Sequence, residues 1–153
     1  MKLLDFLGRE QIVPELRAAD KAGVLKELAE VLGAVPGVSS IKTVVDVLQE
    51  RERLGSTGIG EGIAIPHGKL EGLDRVVLAF GRSRAGVDFE SLDGAPVHLI
   101  FLLLSPADSA SMHLMVLARI ARLMKSRSFR EALLKADGSA ELFDSIAAED
   151  AKG

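Results

Sequence analysis

The stretch VHLIFLLLS, residues 97–105, constrains the fold more than any other part of the chain. With the two-residue period of a strand, both of its faces are apolar: Leu99, Phe101 and Leu103 alternate with Ile100, Leu102 and Leu104. Such a strand has to be covered on both sides, and helices are the usual cover. RVVLAFGRS, residues 75–83, reads as a second strand, and the segment between the two carries hairpin turn chemistry at Asp93-Gly94. QIVPEL, residues 11–16, reads as a short edge strand, because Pro14 would interrupt a central ladder.

The cover is legible on either side of these strands. Asp20 is placed to cap a helix whose Val24, Leu25, Leu28, Val31 and Leu32 fall at helical spacing, with Gly33 and Pro36-Gly37 as its stop. Ser39 or Ser40 opens a second helix with Ile41, Val44, Val45 and Leu48 on one face, ending near Leu54 and Gly55. Five glycines then fall within residues 55–68, read as a loop, a short strand at Ile63–Ile65 and a turn at Pro66-His67-Gly68. Helical patterns follow at Ser109–Lys125, Ser128–Ala136 and Ser139–Ala147, and the polar tail EDAKG is expected to fray. The predicted fold is an α/β three-layer sandwich, a central mixed sheet of about five strands flanked by helices on both faces, formed as one domain by residues 1–153.

Composition excludes several functions. The chain has no Cys, which removes disulfides, thiolate metal sites and cysteine nucleophiles and fits a reducing, cytoplasmic setting. A net charge of −3 and only six Phe as aromatics argue against nucleic acid as a partner. The longest apolar run is too short to insert into a membrane. Three histidines remain as the side chains that titrate near neutrality.

His67 lies between Pro66, which restrains the backbone, and Gly68, which lets another molecule come close. That setting suits nucleophilic or acid–base work; the plainer alternative is a half-exposed turn histidine. His113 begins the stripe Val116, Leu117 and Ile120 and points inward near a helix start, either as a neutral hydrogen-bond donor or as a satisfied core histidine. Arg51 continues the inward stripe of Val44 and Leu48, either as a phosphate partner or as a cation at a helix C-terminus. His98, at the start of the apolar strand, needs only one polar partner and is given no role. No GxxxxGK[ST], GxGxxG-to-helix or GxSxG pattern occurs, and histidine gaps of 31 (98 − 67) and 15 (113 − 98) contain no local metal-ligand pair. No metal or cofactor is called for.

The run LQERERLGSTGIGEGIAIPHGK, with SMHLMVLARIARLM far downstream, resembles the enzyme IIA family of the bacterial phosphotransferase system, fructose/mannitol/nitrogen branch. The resemblance extends over nearly the whole chain, as one EIIA type-2 domain, and IAIPHGK at residues 63–69 is its most specific motif. It implies that His67 accepts a phosphoryl group from the phosphohistidine of an HPr-like carrier. It likewise implies that His113 is the second active-site histidine and Arg51 their companion, with spacings of 46 (113 − 67) and 16 (67 − 51). His98 departs from the family's pattern. Thr57, Gly68 and loop N–H groups are candidates to complete the phosphate shell, and Glu61 and Asp108 to rim the docking face. The compact start resembles nitrogen-type members, whose phosphorylation state signals to a kinase or transporter; the alternative is a sugar-branch protein that passes phosphate to a IIB domain.

Overall fold

A computed structural model describes residues 1–153. Two short 3₁₀ turns, Leu3–Asp5 and Arg9–Gln11, lead into β1 (Ile12–Val13), α1 (Lys21–Leu32) and α2 (Ile41–Arg53). The glycine-rich segment forms β2 (Gly58–Gly60), β3 (Ile63–Ala64) and β4 (His67–Leu70). Then come β5 (Val77–Val87), β6 (Val97–Pro106), α3 (Ala110–Leu123), α4 (Arg127–Lys135) and α5 (Gly138–Ala151).

β6 is the centre of a six-stranded mixed sheet. It runs antiparallel to β5 on one side, with Phe80 opposite Phe101, and β1 extends that side in parallel. On its other side β3 pairs with Leu99 and Ile100, and β4 pairs further along, with His67 opposite Leu103 and Lys69 opposite Ser105. The alternation seen in the sequence divides the core. Leu99, Phe101 and Leu103 join the apolar cluster under α3, α4 and α5, while Ile100, Leu102 and Leu104 join the one under α1 and α2. Each fully buried side chain of this size contributes about 1.5–3 kcal/mol by leaving water. The three expected layers are present.

Local signals set the helix starts. Asp20 accepts from Gly23 N at 2.8 Å, and Ser40, rather than Ser39, caps α2 through Thr43 N at 3.2 Å. Ser126 caps α4 through Phe129 N, so that helix starts a residue before the expected Ser128. The hairpin turns at Gly94, whose φ of 72° and N–H bond to Ser91 O close the loop.

Two expectations are corrected. Pro66-His67-Gly68 is not a turn, because His67 and Gly68 begin β4. Pro66 needs no donor where it sits, at the break between two strands that share one edge of β6, and its carbonyl accepts from Leu103 N at 2.9 Å. The tail does not fray at EDAKG either: α5 continues to Ala151. Asp150 is buried there against Arg119, 2.7 Å from its Nη2, and also accepts from Leu4 N. One carboxylate thus ties the C-terminal helix to α3 and to the N-terminus, and a buried charge paired this way is costly to strand.

Phe101→Ala would empty a ring-sized space beside Phe80, whose ring lies 4.8 Å away. It should lower the unfolding free energy by about 3–5 kcal/mol, read as a shift of the urea midpoint at unchanged slope.

Candidate functional site

His67 opens β4, which has β6 on one side and no strand on the other. This open sheet edge forms one wall of a cleft of about 710 Å³, lined among others by Val47, Arg51 and Leu54 of the α2 end, by His67 and Lys69 of β4, and by His113 of α3. Residues separated by 16 and 46 positions in the chain therefore meet at one place. The helix and strand lie close together because position 68 is glycine: a Cβ there would stand 2.5 Å from Val47 Cγ1. The glycine serves the approach of α2; its φ is not in the left-handed region.

His67 Nδ1 lies 2.6 Å from the Ile65 carbonyl oxygen. A carbonyl only accepts, so Nδ1 carries the hydrogen and Nε2 keeps its lone pair. Burial lowers the His67 pKa below 6.5, and the Arg51 charge adds to this against opposing contributions from the Ile65 bond and Glu52. The ring is therefore neutral at pH 7, with a nucleophilic nitrogen. His113 is only 7 % exposed, and its ring centroid stands 5.3 Å from that of His67 at an interplanar angle of 60°. Its pKa is lowered first by burial, then by His67 and Lys69. Its Nδ1 lies 2.7 Å from Ser105 Oγ.

Arg51 is half-buried and donates from Nη1 to the Gly55 carbonyl at 2.9 Å, which folds the chain back at the helix end and leaves guanidinium donors for the cleft. The neighbouring Glu52 faces elsewhere. Its carboxylate, 5 % exposed, accepts from Lys21 Nζ at 3.0 Å, Thr57 N at 3.1 Å and the Thr57 hydroxyl. Thr57 is buried and spends its hydroxyl on Glu52, so it fixes the loop instead of facing the cleft.

Other sequence candidates lie apart. His98 bonds the Ser83 carbonyl through Nδ1 at 2.8 Å, the one polar partner it needed. Glu61 pairs with Arg130 at 3.7 Å near the start of β6, and Asp108 is exposed in the turn before α3; neither lines the cleft. The acids that do are Asp46 and Glu50 of α2. Lys69 and Ser105 were missed. In a strand that starts at His67 the two-residue period puts Lys69 on the same side, a signal that the turn-like composition of Pro66-His67-Gly68 hides. A second cleft, of about 760 Å³, lies between α1, α2 and the hairpin, but its one lysine, Lys21, is taken by both Glu52 and Glu90, and it holds no histidine. No three His, Asp or Glu side chains gather to hold a metal ion, and no helix is long and apolar enough to cross a membrane.

A neutral nucleophilic imidazole, a second imidazole and a guanidinium on an open sheet edge form a site suited to an anionic group in transfer. The family described as the phosphoenolpyruvate-dependent sugar phosphotransferase system, EIIA 2, matches residues 5–149, and the chain belongs to it. A nitrogen regulatory protein of Bradyrhizobium diazoefficiens is 42% identical over 133 residues, covering 87% of this chain and 86% of that one. The fructose-specific EIIABC component of Bacillus subtilis is 36% identical over 95% of this chain, which spans 23% of that longer protein. The crystal structure of nitrogen regulatory protein IIA-Ntr from Neisseria meningitidis superposes with a TM-score of 0.87 at 35% identity, covering 93% of this chain and 97% of that one.

Both depressed histidines make stability depend on pH. Each binds its proton less readily folded than unfolded, so their contribution is complete above the unfolded value of 6.5 and is lost as pH falls through the lower folded values. Chemical-shift titration should place His67 and His113 below 6.5, and the unfolding free energy should decline with falling pH from about that value.

Proposed function

We propose that residues 1–153 act as one EIIA type-2 domain that accepts a phosphoryl group on His67 from the phosphohistidine of HPr or its nitrogen-type paralogue, and signals through its phosphorylation state. The observation that carries this is the bond from His67 Nδ1–H to the Ile65 carbonyl, which leaves Nε2 as the nucleophile in a cleft shared with His113 and Arg51. In the transfer the Nε2 lone pair forms the new P–N bond while the donor's P–N bond breaks and its electron pair returns to the donor ring. No proton need move. The reaction then requires alignment and charge stabilisation, and the residues present are suited to both. The Ile65 carbonyl steadies the ring as it gains positive character, and Arg51 meets the phosphoryl oxygens. The donor docks over the cleft, where Leu54 is 81 % exposed, and α3, the helix that carries His113 into the cleft, leaves Met112, Leu114 and Met115 exposed as adaptable apolar side chains.

The regulatory reading is supported by likeness to nitrogen regulatory proteins along most of both chains. Its downstream targets would then be a kinase or transporter that distinguishes the two states of His67. The fructose-specific relative favours a second reading, in which the phosphoryl group passes to a IIB domain. The two are separated by offering the phosphorylated protein a IIB domain and, in parallel, by comparing the partners captured by its two states. Rapid transfer to IIB supports the sugar branch; state-dependent partners without transfer support regulation.

Incubation with phosphorylated HPr, or with the nitrogen-type carrier, should give one acid-labile, base-stable phosphate. His67→Ala should abolish it. His113→Ala and Arg51→Ala should slow labelling by about 10²–10³-fold with unchanged circular dichroism. Labelling that persists at full rate in His67→Ala would contradict the assignment.

A further inference from the structure

Ser105 lies two positions beyond Leu103, the residue opposite His67, and so faces the α3 side of the sheet. It is completely buried, and its Oγ makes a single hydrogen bond, to His113 Nδ1 at 2.7 Å. A neutral imidazole has one N–H, so only two arrangements are available. If Nδ1 donates, the serine's own hydrogen has no acceptor in a site shut off from water. If the serine donates, its buried hydrogen is used and the ring hydrogen lies on Nε2, on a residue that lines the cleft. The second arrangement avoids an orphaned buried donor and is the stable one.

We propose that Ser105 is a positioning residue: its hydroxyl donates to His113 Nδ1 and so holds the His113 Nε2–H ready to bond the oxygens of a phosphoryl group on His67. The inference rests on His67 being the acceptor, as proposed above. The two rings then carry opposite tautomers, each fixed from behind. Ile65 O holds the hydrogen of His67 on Nδ1, and Ser105 holds that of His113 on Nε2. At 5.3 Å between centroids, one ring offers a lone pair to phosphorus and the other an N–H to its oxygens. His113 keeps its proton throughout; it lends a hydrogen bond and is not an acid in the step. Burial and the neighbouring Lys69 charge favour the uncharged ring in which a tautomer has meaning.

The test has a spectroscopic arm and a kinetic arm. Nitrogen-15 spectra of the unphosphorylated wild-type protein above the His113 pKa should show Nε2 protonated and Nδ1 accepting a hydrogen bond. A protected Ser105 hydroxyl proton should be coupled to that Nδ1. In Ser105→Ala the Nδ1 signal should move to that of an unbonded acceptor, and transfer from the phosphorylated carrier to His67 should slow about tenfold, one charge-assisted hydrogen bond's worth. Ser105→Thr, which keeps the hydroxyl, should transfer within about threefold of wild type. A protonated Nδ1 in neutral wild-type His113, or Ser105→Ala transferring at the wild-type rate, would overturn the proposal. Failure of wild type to be labelled at His67 would instead remove the acceptor reading and this role with it, while the spectrum still reads the Ser105 bond directly.

Discussion

β6 is the constraint on which the other elements depend. Its apolar faces hold the two helical layers together, α3 to α5 on one and α1 with α2 on the other. Its two edges hold every other strand of the sheet except the outermost pair, β1 and β2. Because β4 is hydrogen-bonded to it in a single register, His67 sits opposite Leu103, and Ser105 lies two residues further on, beneath His113. A slip of one residue would turn His67 to the α2 side and separate it from α3. The geometry of the site is therefore set by a strand that contributes no residue to the surface of the cleft.

The polar groups around the cleft serve that rigidity. Arg51 and Glu52 are adjacent in sequence, yet each fastens a different part of the following loop, Arg51 at Gly55 and Glu52 at Thr57. Both histidines are held from behind by buried acceptors or donors and are kept uncharged by burial. A phosphoryl group brings roughly 1.5–2 negative charges. It would arrive where Arg51 and Lys69 already supply positive charge and where little needs to reorganise.

Much of this was readable from the residues. The two-faced pattern of β6, the caps at Asp20 and Ser40 and the helical stripes through Leu28 and Ile120 are local signals, and the layers follow from them. The motif around His67, together with His113 and Arg51, marked residues that the structure brings into one cleft. What was not readable depends on pairing between distant parts of the chain. Pro66-His67-Gly68 has the composition of a turn, and only the vacant edge of β6 makes a strand of its second half. Asp150 looked like part of a polar tail because its partner, Arg119, lies 31 residues earlier. Thr57 looked free for phosphate because nothing local shows that Glu52 claims its hydroxyl. Ser105 ended an apolar run, and its importance emerges only once α3 is laid across the sheet.

In the proposed transfer, the Ile65 carbonyl holds the hydrogen on Nδ1 and so selects which nitrogen of His67 reacts. Phosphorus–nitrogen coupling in the phosphorylated, nitrogen-15-labelled protein measures this directly. Phosphorus is expected on Nε2 of His67, with a hydrogen retained on Nδ1; phosphorus on Nδ1 would show that the Ile65 bond does not select the reacting nitrogen.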